Sequence, residues 1–247
     1  MGNIRNILLM AALLCVSFAM SARTYLVAVG VGDYSNYPQK TPSLNLPVAD
    51  AKAIAEAYAK NTNVDYVLLL DEKATKSRIV RAMKKVYSLA GKDDVVIFYF
   101  SGHGYPGGFC ASDGRVPYSR IRTAMSESKC HNKIILADAC HSGAMRVEAN
   151  ASGNAANKEA SKANVMMFLA SRNTETSIEA EGMENGVFTT FLIGGMQGWA
   201  DADGNRIITA RELFDFVHNG VKDITENKQH PVMWGKFNDD MPVIKLK

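Results

Sequence analysis

Residues 94–104 read DVVIFYFSGHG and residues 133–143 read KIILADACHSG. Each is an apolar, β-branched run that ends in small and chemically active residues. A strand with one wet face alternates polar and apolar residues, so an unbroken apolar run predicts a strand covered on both faces. Thr24–Val31 (TYLVAVGV), Val64–Leu70 (VDYVLLL) and Val165–Leu169 (VMMFL) have the same character. Helical patterns lie between these runs. Pro47–Lys60 opens on Pro and is rich in Ala, and Thr75–Leu89 puts Ile79, Met83, Val86 and Leu89 on one face. Gly186–Trp199 and Thr209–Val221 also read as helices. Alternating strands and helices predict an α/β fold with a mostly parallel sheet covered by helices on both faces. In such folds the chemistry sits beyond the carboxyl ends of the strands.

His103 and Cys140 occupy that place. Each stands three residues past the end of its apolar run, and they are 37 residues apart. If the two strands are neighbours, both side chains face one cleft. A Cys–His pair is a nucleophile and its general acid/base, and a nearby imidazolium favours the reactive thiolate. The flanking glycines let backbone amides approach a substrate, and the N–H groups of Gly104 and Cys140 are the candidate oxyanion donors. Gly30-Val-Gly32-Asp-Tyr-Ser35 lacks the third glycine of a dinucleotide loop, and a nucleotide is not expected there.

Composition bounds the alternatives. The chain has 247 residues, 47% hydrophobic and 21% charged, which is ordinary for a folded domain and excludes disorder as its general state. Lys+Arg 28 against Asp+Glu 25 leaves +3, too little to predict a nucleic-acid partner. Arg5, the apolar run Ile7–Met20 and the small residues Ala19, Ser21 and Ala22 read as a secretory signal peptide. Cleavage after Ser21 or Ala22 would leave 23–247 as the mature domain. The run is short of the ~20 residues a spanning helix needs, so no stable membrane span is expected after cleavage, and the product is periplasmic or secreted. A membrane anchor and lipidation at Cys15, behind the bulky Leu14, are the competing readings. Residues 148–164 (EANASGNAANKEASKAN) have almost no apolar bulk and read as an exposed linker.

The paired segments Ser101-Gly-His-Gly and Asp138-Ala-Cys-His-Ser-Gly resemble the caspase-like cysteine peptidases, specifically their metacaspase-type bacterial members. The turn Gly30–Tyr34, the helix entered at Val48-Ala-Asp50 and the segment Gln229-His-Pro stand in family-like order. The resemblance implies a caspase-like three-layer α/β/α sandwich with a mostly parallel sheet of about six strands, and a protein or peptide substrate. It implies that Cys140 attacks the scissile carbonyl to form a thioester, that His103 moves the protons, and that no metal enters the chemistry. Caspases carry Gln two residues before the nucleophile and cut after Asp. Here that position is Asp138, and Asp50 and Ser101 match the other polar residues of a metacaspase-like S1 pocket. An acidic pocket implies cleavage after Arg or Lys. The linker falls where caspase relatives are processed, and it holds Lys158 and Lys162 but no Asp, so self-cleavage would follow a basic residue. The alternative is a catalytically silent caspase-like interaction module. With Cys140 kept free to act, Cys110 and Cys130 are left as a candidate disulfide in an oxidising compartment, or as two reduced thiols.

Asp201-Ala-Asp-Gly-Asn205-Arg-Ile-Ile-Thr-Ala-Arg-Glu212 places Asp201, Asp203, Asn205 and Glu212 at positions 1, 3, 5 and 12 of a calcium loop. Arg206 stands where that loop carries Gly, and the same residues also suit a helix cap. Calcium is thus a secondary expectation. Oligomeric state is not set by any of these features.

Overall fold

The apolar runs fold as strands. The computed structural model describes residues 22–139, 164–170 and 183–246. In chain order the elements are β1 (Thr24–Gly30), α1 (Pro47–Asn61), β2 (Val64–Leu70), α2 (Lys76–Tyr87), β3 (Val95–Ser101), β4 (Gly104–Tyr105), β5 (Gly108–Ala111), β6 (Gly114–Pro117), α3 (Tyr118–Ser126), β7 (Asn132–Asp138), β8 (Asn164–Leu169), α4 (Val187–Gly194), β9 (Ile207–Thr209), α5 (Ala210–Ile224), β10 (Val232–Lys236) and β11 (Pro242–Lys245). The main sheet has the order β10-β8-β7-β3-β1-β2. Five of its strands are parallel, and β10 runs antiparallel to β8. After β2 the chain crosses back over β1 to lay down β3 on its other side, so the strand order reverses at β1. A ligand crevice is expected outside the carboxyl ends at such a reversal.

Alternate residues of the central strands feed two separate cores, which is why these strands are apolar throughout. Val27, Phe98 and Ile135 face α2, α3 and the small sheet β4–β6, where Met83, Ile121 and Phe109 meet them. Leu26, Ile97 and Leu136 face α1, α4 and α5, against Ile54, Phe188 and Leu213. Each fully buried aliphatic or aromatic side chain contributes about 1.5–3 kcal/mol by leaving water. Phe100 stacks on Phe109 with centroids 4.4 Å apart, which fastens the small sheet over the carboxyl end of β3.

The structure differs from the sequence reading in two ways. The expected helix 186–199 stops at Gly194 and continues as a wide π turn over Gly195–Trp199, where Gly198 takes φ +117°. Gly194, Gly195 and Gly198 weaken the helix there. The small sheet, α3, β9, β10 and β11 have no counterpart in the reading; the small sheet, β9 and β11 are strands of two to four residues, too short to carry a usable period. Among the described residues no helix is long and apolar enough to cross a membrane.

Candidate active site

The register of the central strands aligns their reactive ends. Gly30 pairs with Ser101, and Ser101 pairs with Asp138. The Gly102 amide then donates to the Asp138 carbonyl at 3.2 Å, so β3 and β7 remain joined past their last rung. Along each strand the alternation that sends Tyr99 and Leu136 toward α1 and α4 sends Ser101 and Asp138 the same way. Asp50 arrives there from the first turn of α1.

These three residues converge in a dry site. Asp50, Ser101 and Asp138 are 2%, 2% and 6% exposed. The Ser101 hydroxyl donates to Asp50 Oδ2 at 2.7 Å, and Asp50 Oδ1 accepts from Asn185 Nδ2 and the Gly186 amide, both at 2.9 Å. Asp138 Oδ2 accepts from the Thr189 hydroxyl at 2.9 Å and the Thr189 amide at 3.3 Å. Gly186, Asn185 and Thr189 surround the amino end of α4, whose N-cap residue Gly186 has no side chain to satisfy the free amides of the first turn. The two carboxylates do this instead, and the helix dipole favours their charge. A Cβ at Gly186 would lie 2.6 Å from Asp138 Oδ2 and 3.4 Å from Asp50 Oδ2, so only glycine lets both acids reach the same spot. Burial, and after it the charges of Asp50 and Asp138, hold the neighbouring Tyr99 phenol well above its ordinary value.

His103 is held from the opposite side. Its amide donates to the Tyr34 hydroxyl at 2.8 Å, its ring lies 4.7 Å from the Tyr34 ring, and its carbonyl accepts from the Cys110 amide at 2.9 Å. Tyr34 in turn donates to the Cys110 carbonyl at 3.1 Å, and burial keeps its phenol protonated far beyond the usual range. His103 Nε2 lies 2.8 Å from the Pro42 carbonyl. A carbonyl only accepts, so Nε2 carries a proton, and the tautomer this selects has its lone pair on Nδ1. Gly102, at φ +149°, makes the turn between β3 and His103, and a Cβ there would meet the Tyr34 hydroxyl at 2.7 Å. The rung Gly104–Phe109 is flanked by the bond from Cys110 N to His103 O, which makes it a non-hydrogen-bonded pair and leaves the Gly104 amide unengaged by that ladder.

A family model for the caspase domain matches residues 25–241. The chain belongs to the caspase domain family. Similar solved structures include a Geobacter sulfurreducens protein, with 18% identity, TM-score 0.63 and coverage of 92% of this chain and 100% of that one. Caspase-1 from Spodoptera frugiperda is 14% identical, with TM-score 0.63 and coverage of 92% and 90%. Both share the fold. No curated protein sequence matches. Family membership assigns cysteine-peptidase-like function in general terms, with protein as the substrate class.

The remaining expected residues of this caspase domain separate into three groups. Cys140, Lys158, Lys162 and the expected linker 148–164, except Asn164, lie outside the described residues, as does the amino-terminal run up to Ser21, and Asn164 opens β8 instead of closing the linker. Cys110 and Cys130 are described and are not bonded to each other, which corrects the expected disulfide. Cys110 follows His103 at the carboxyl end of β3, where Tyr37 donates to its sulfur at 3.3 Å. The Cys130 sulfur lies 2.7 Å from the Asp94 carbonyl, at the amino end of β3. A seven-residue strand, roughly 20 Å, separates them, far beyond the ~7 Å limit for Cα atoms of a disulfide. Burial pushes both thiols up, so neither is a ready thiolate. Asp201, Asp203, Asn205 and Glu212 lie apart from the acidic site, on the stretch leading into α5.

Pro42, Asn185, Gly186 and Thr189 were not singled out from sequence as site residues, and Tyr34 appeared there only as the end of the family-like turn Gly30–Tyr34. A backbone carbonyl such as that of Pro42 leaves no trace in residue type. Asn185-Gly186 before an apolar helix was a usable sign of a helix start, but its partners come from α1 and β7. Gln229, from the family-like segment, is fully buried and donates to the Ala170 carbonyl at 2.9 Å, where it braces the end of β8.

Proposed function

We propose that the chain is a cysteine endopeptidase that cuts after Arg or Lys, with Cys140 as nucleophile and His103 as general acid/base. The observation that carries this reading is the register Ser101↔Asp138. His103 and Cys140 each follow two residues later, so the two reactive segments leave the sheet level with each other.

The chemistry follows from the orientation of His103. Nδ1 takes the thiol proton as Cys140 Sγ attacks the scissile carbonyl carbon. The charge that develops on the imidazolium strengthens the bond from Nε2–H to the Pro42 carbonyl. The amides of Gly104 and Cys140 receive the oxyanion. The imidazolium protonates the leaving amine and leaves a thioester. His103 then accepts a proton from water as the water attacks, and that proton returns to sulfur as the acid is released.

Asp50 and Asp138 supply the specificity. Two buried carboxylates already held by Ser101, Asn185, Gly186 and Thr189 have fixed positions, and a substrate guanidinium or ammonium adds a full opposite charge. A charge-assisted bond of about 1.5–3 kcal/mol makes a basic P1 residue better than a neutral isostere by roughly 10- to 150-fold. An acidic P1 residue meets like charge and is rejected. The same preference supports self-cleavage after Lys158 or Lys162, and the amino-terminal run supports export.

Fluorogenic peptides with Arg, Lys or Asp at P1 test the reading. Arg and Lys peptides should turn over and the Asp peptide should not. Cys140→Ala and His103→Ala should each lose at least about 1,000-fold in kcat/KM. Faster turnover of the Asp peptide, or activity that survives Cys140→Ala, overturns it. Intact-mass analysis of the wild type beside Cys140→Ala reads the self-cleavage, and amino-terminal sequencing of the exported protein reads the processing site.

A further inference from the structure

We propose that Tyr99 is a specificity-positioning residue, the hub of a buried hydroxyl network that aims Thr189 at Asp138 and Ser101 at Asp50. The inference rests on the basic P1 preference proposed above and adds to it a residue that does not touch substrate.

Proton counting gives the direction of each bond. The Tyr99 and Thr189 hydroxyl oxygens lie 2.7 Å apart, a distance that fits either as donor. Thr189 Oγ1 also stands 2.9 Å from Asp138 Oδ2, and an ionised carboxylate only accepts. A hydroxyl has one proton to give. Thr189 gives it to Asp138, so Tyr99 must donate to Thr189. Ser101 likewise gives its proton to Asp50 Oδ2 at 2.7 Å. The Ser101 side chain also hydrogen-bonds the Tyr99 phenol, and there its oxygen is left to accept. One phenolic proton thus serves two hydroxyls, and each of these faces its own acid.

The fold places this hub where both acids can use it. Tyr99 and Ser101 stand two residues apart on β3 and so share a face, and Thr189 comes from the first turn of α4. Tyr99 and Thr189 are fully buried. The Tyr99 ring belongs to the core on this side of the sheet, where Phe168 and Phe188 fill the same layer without a polar atom. A phenyl ring would serve that packing, so the hydroxyl is the part the acids require. The burial and carboxylate charges that raise the phenol also keep it a donor. Hydroxyls linked in a dry site polarise one another, which strengthens the final bond to each acid. Without the phenolic proton, Thr189 loses the donor that fixes its orientation, and its hydroxyl can turn to a backbone carbonyl of its own helix. Asp138 is then held less firmly for a guanidinium or ammonium group.

Kinetics on P1 Arg, P1 Lys and P1 neutral peptides test the network in the full chain. Thr189→Val should lower kcat/KM on the basic peptides at least about tenfold, as for loss of a hydrogen bond to a charged group. Tyr99→Phe should lower it roughly three- to tenfold, as for loss of a neutral hydrogen bond, and more through KM than through kcat. Neutral peptides should lose less in both variants, and Thr189→Ser, which keeps the hydroxyl, should recover the preference. Melting curves show that each variant is folded. Benzamidine, an amidinium probe, titrated by calorimetry into chains that also carry Cys140→Ala, reads the pocket without turnover, and its binding should weaken in the same order. Benzamidine binding that weakens in Tyr99→Phe while the wild type leaves Arg peptides uncut overturns the peptidase reading and supports the network. Arg peptides cut equally well by wild type, Tyr99→Phe and Thr189→Val overturn the network and keep that reading. Equal losses on basic and neutral peptides, or Thr189→Ser as weak as Thr189→Val, also overturn the network. Neither turnover of Arg peptides nor benzamidine binding in the wild type overturns both.

Discussion

Asp50 and Asp138 meet because position 186 has no side chain. The separation of 2.6 Å between a Cβ at Gly186 and Asp138 Oδ2 is shorter than any real contact, so Gly186→Ala must displace that carboxylate. Displacing a binding group by about 1 Å typically costs on the order of 100-fold in rate. We expect Gly186→Ala to lose that much kcat/KM on Arg peptides while His103 remains in place, which kinetics on P1 Arg and P1 neutral peptides will separate. Tyr34 acts at the same scale on the other side. Its hydroxyl is the acceptor for the His103 amide, so Tyr34→Phe leaves that amide without its partner. If His103 is the general base proposed above, we expect a fall in kcat with KM little changed, because Tyr34 holds its backbone.

Among the elements, α4 and α5 show two ways to begin a helix. Thr209 caps α5 with its own side chain, and Glu212 completes the box. Thr209→Ala should cost about 1 kcal/mol, or about 2–4 °C in melting temperature, measurable by calorimetry. Helix α4 lacks such a residue and takes its caps from Asp50 and Asp138. Its position is therefore tied to the acids, so the pocket and the helix are one unit. The early end of α4 has a local cause in Gly194, Gly195 and Gly198, while the orientation of its first turn is tertiary.

For the molecule as a whole, buried phenols set the behaviour at high pH. Burial first, and then the Cys110 contact, push Tyr37 up to about 12, and burial also raises Tyr34, Tyr58, Tyr87 and Tyr99. A raised folded pKa means that the unfolded chain loses the proton first. The stabilisation is complete below pH ~10 and falls as pH rises through the folded value, with a slope of up to about 1.4 kcal/mol per pH unit for each phenol. Denaturant midpoints measured from pH 9 to 12 should fall steadily, and Tyr37→Phe should make that fall shallower. The parallel sheet, the order of its helices and the rim holding His103 were legible in the chain, because strands buried on both faces must be apolar throughout and chemistry collects where they end. That Asp50 and Asp138 share a site was implied by the family resemblance, whereas their anchoring on Asn185, Gly186 and Thr189, the orientation of His103 by Pro42 and the separation of Cys110 from Cys130 were decided only by the tertiary structure. Each depends on a distance between segments far apart in sequence, and residue type records what a side chain can do, not what stands opposite it once the layers close.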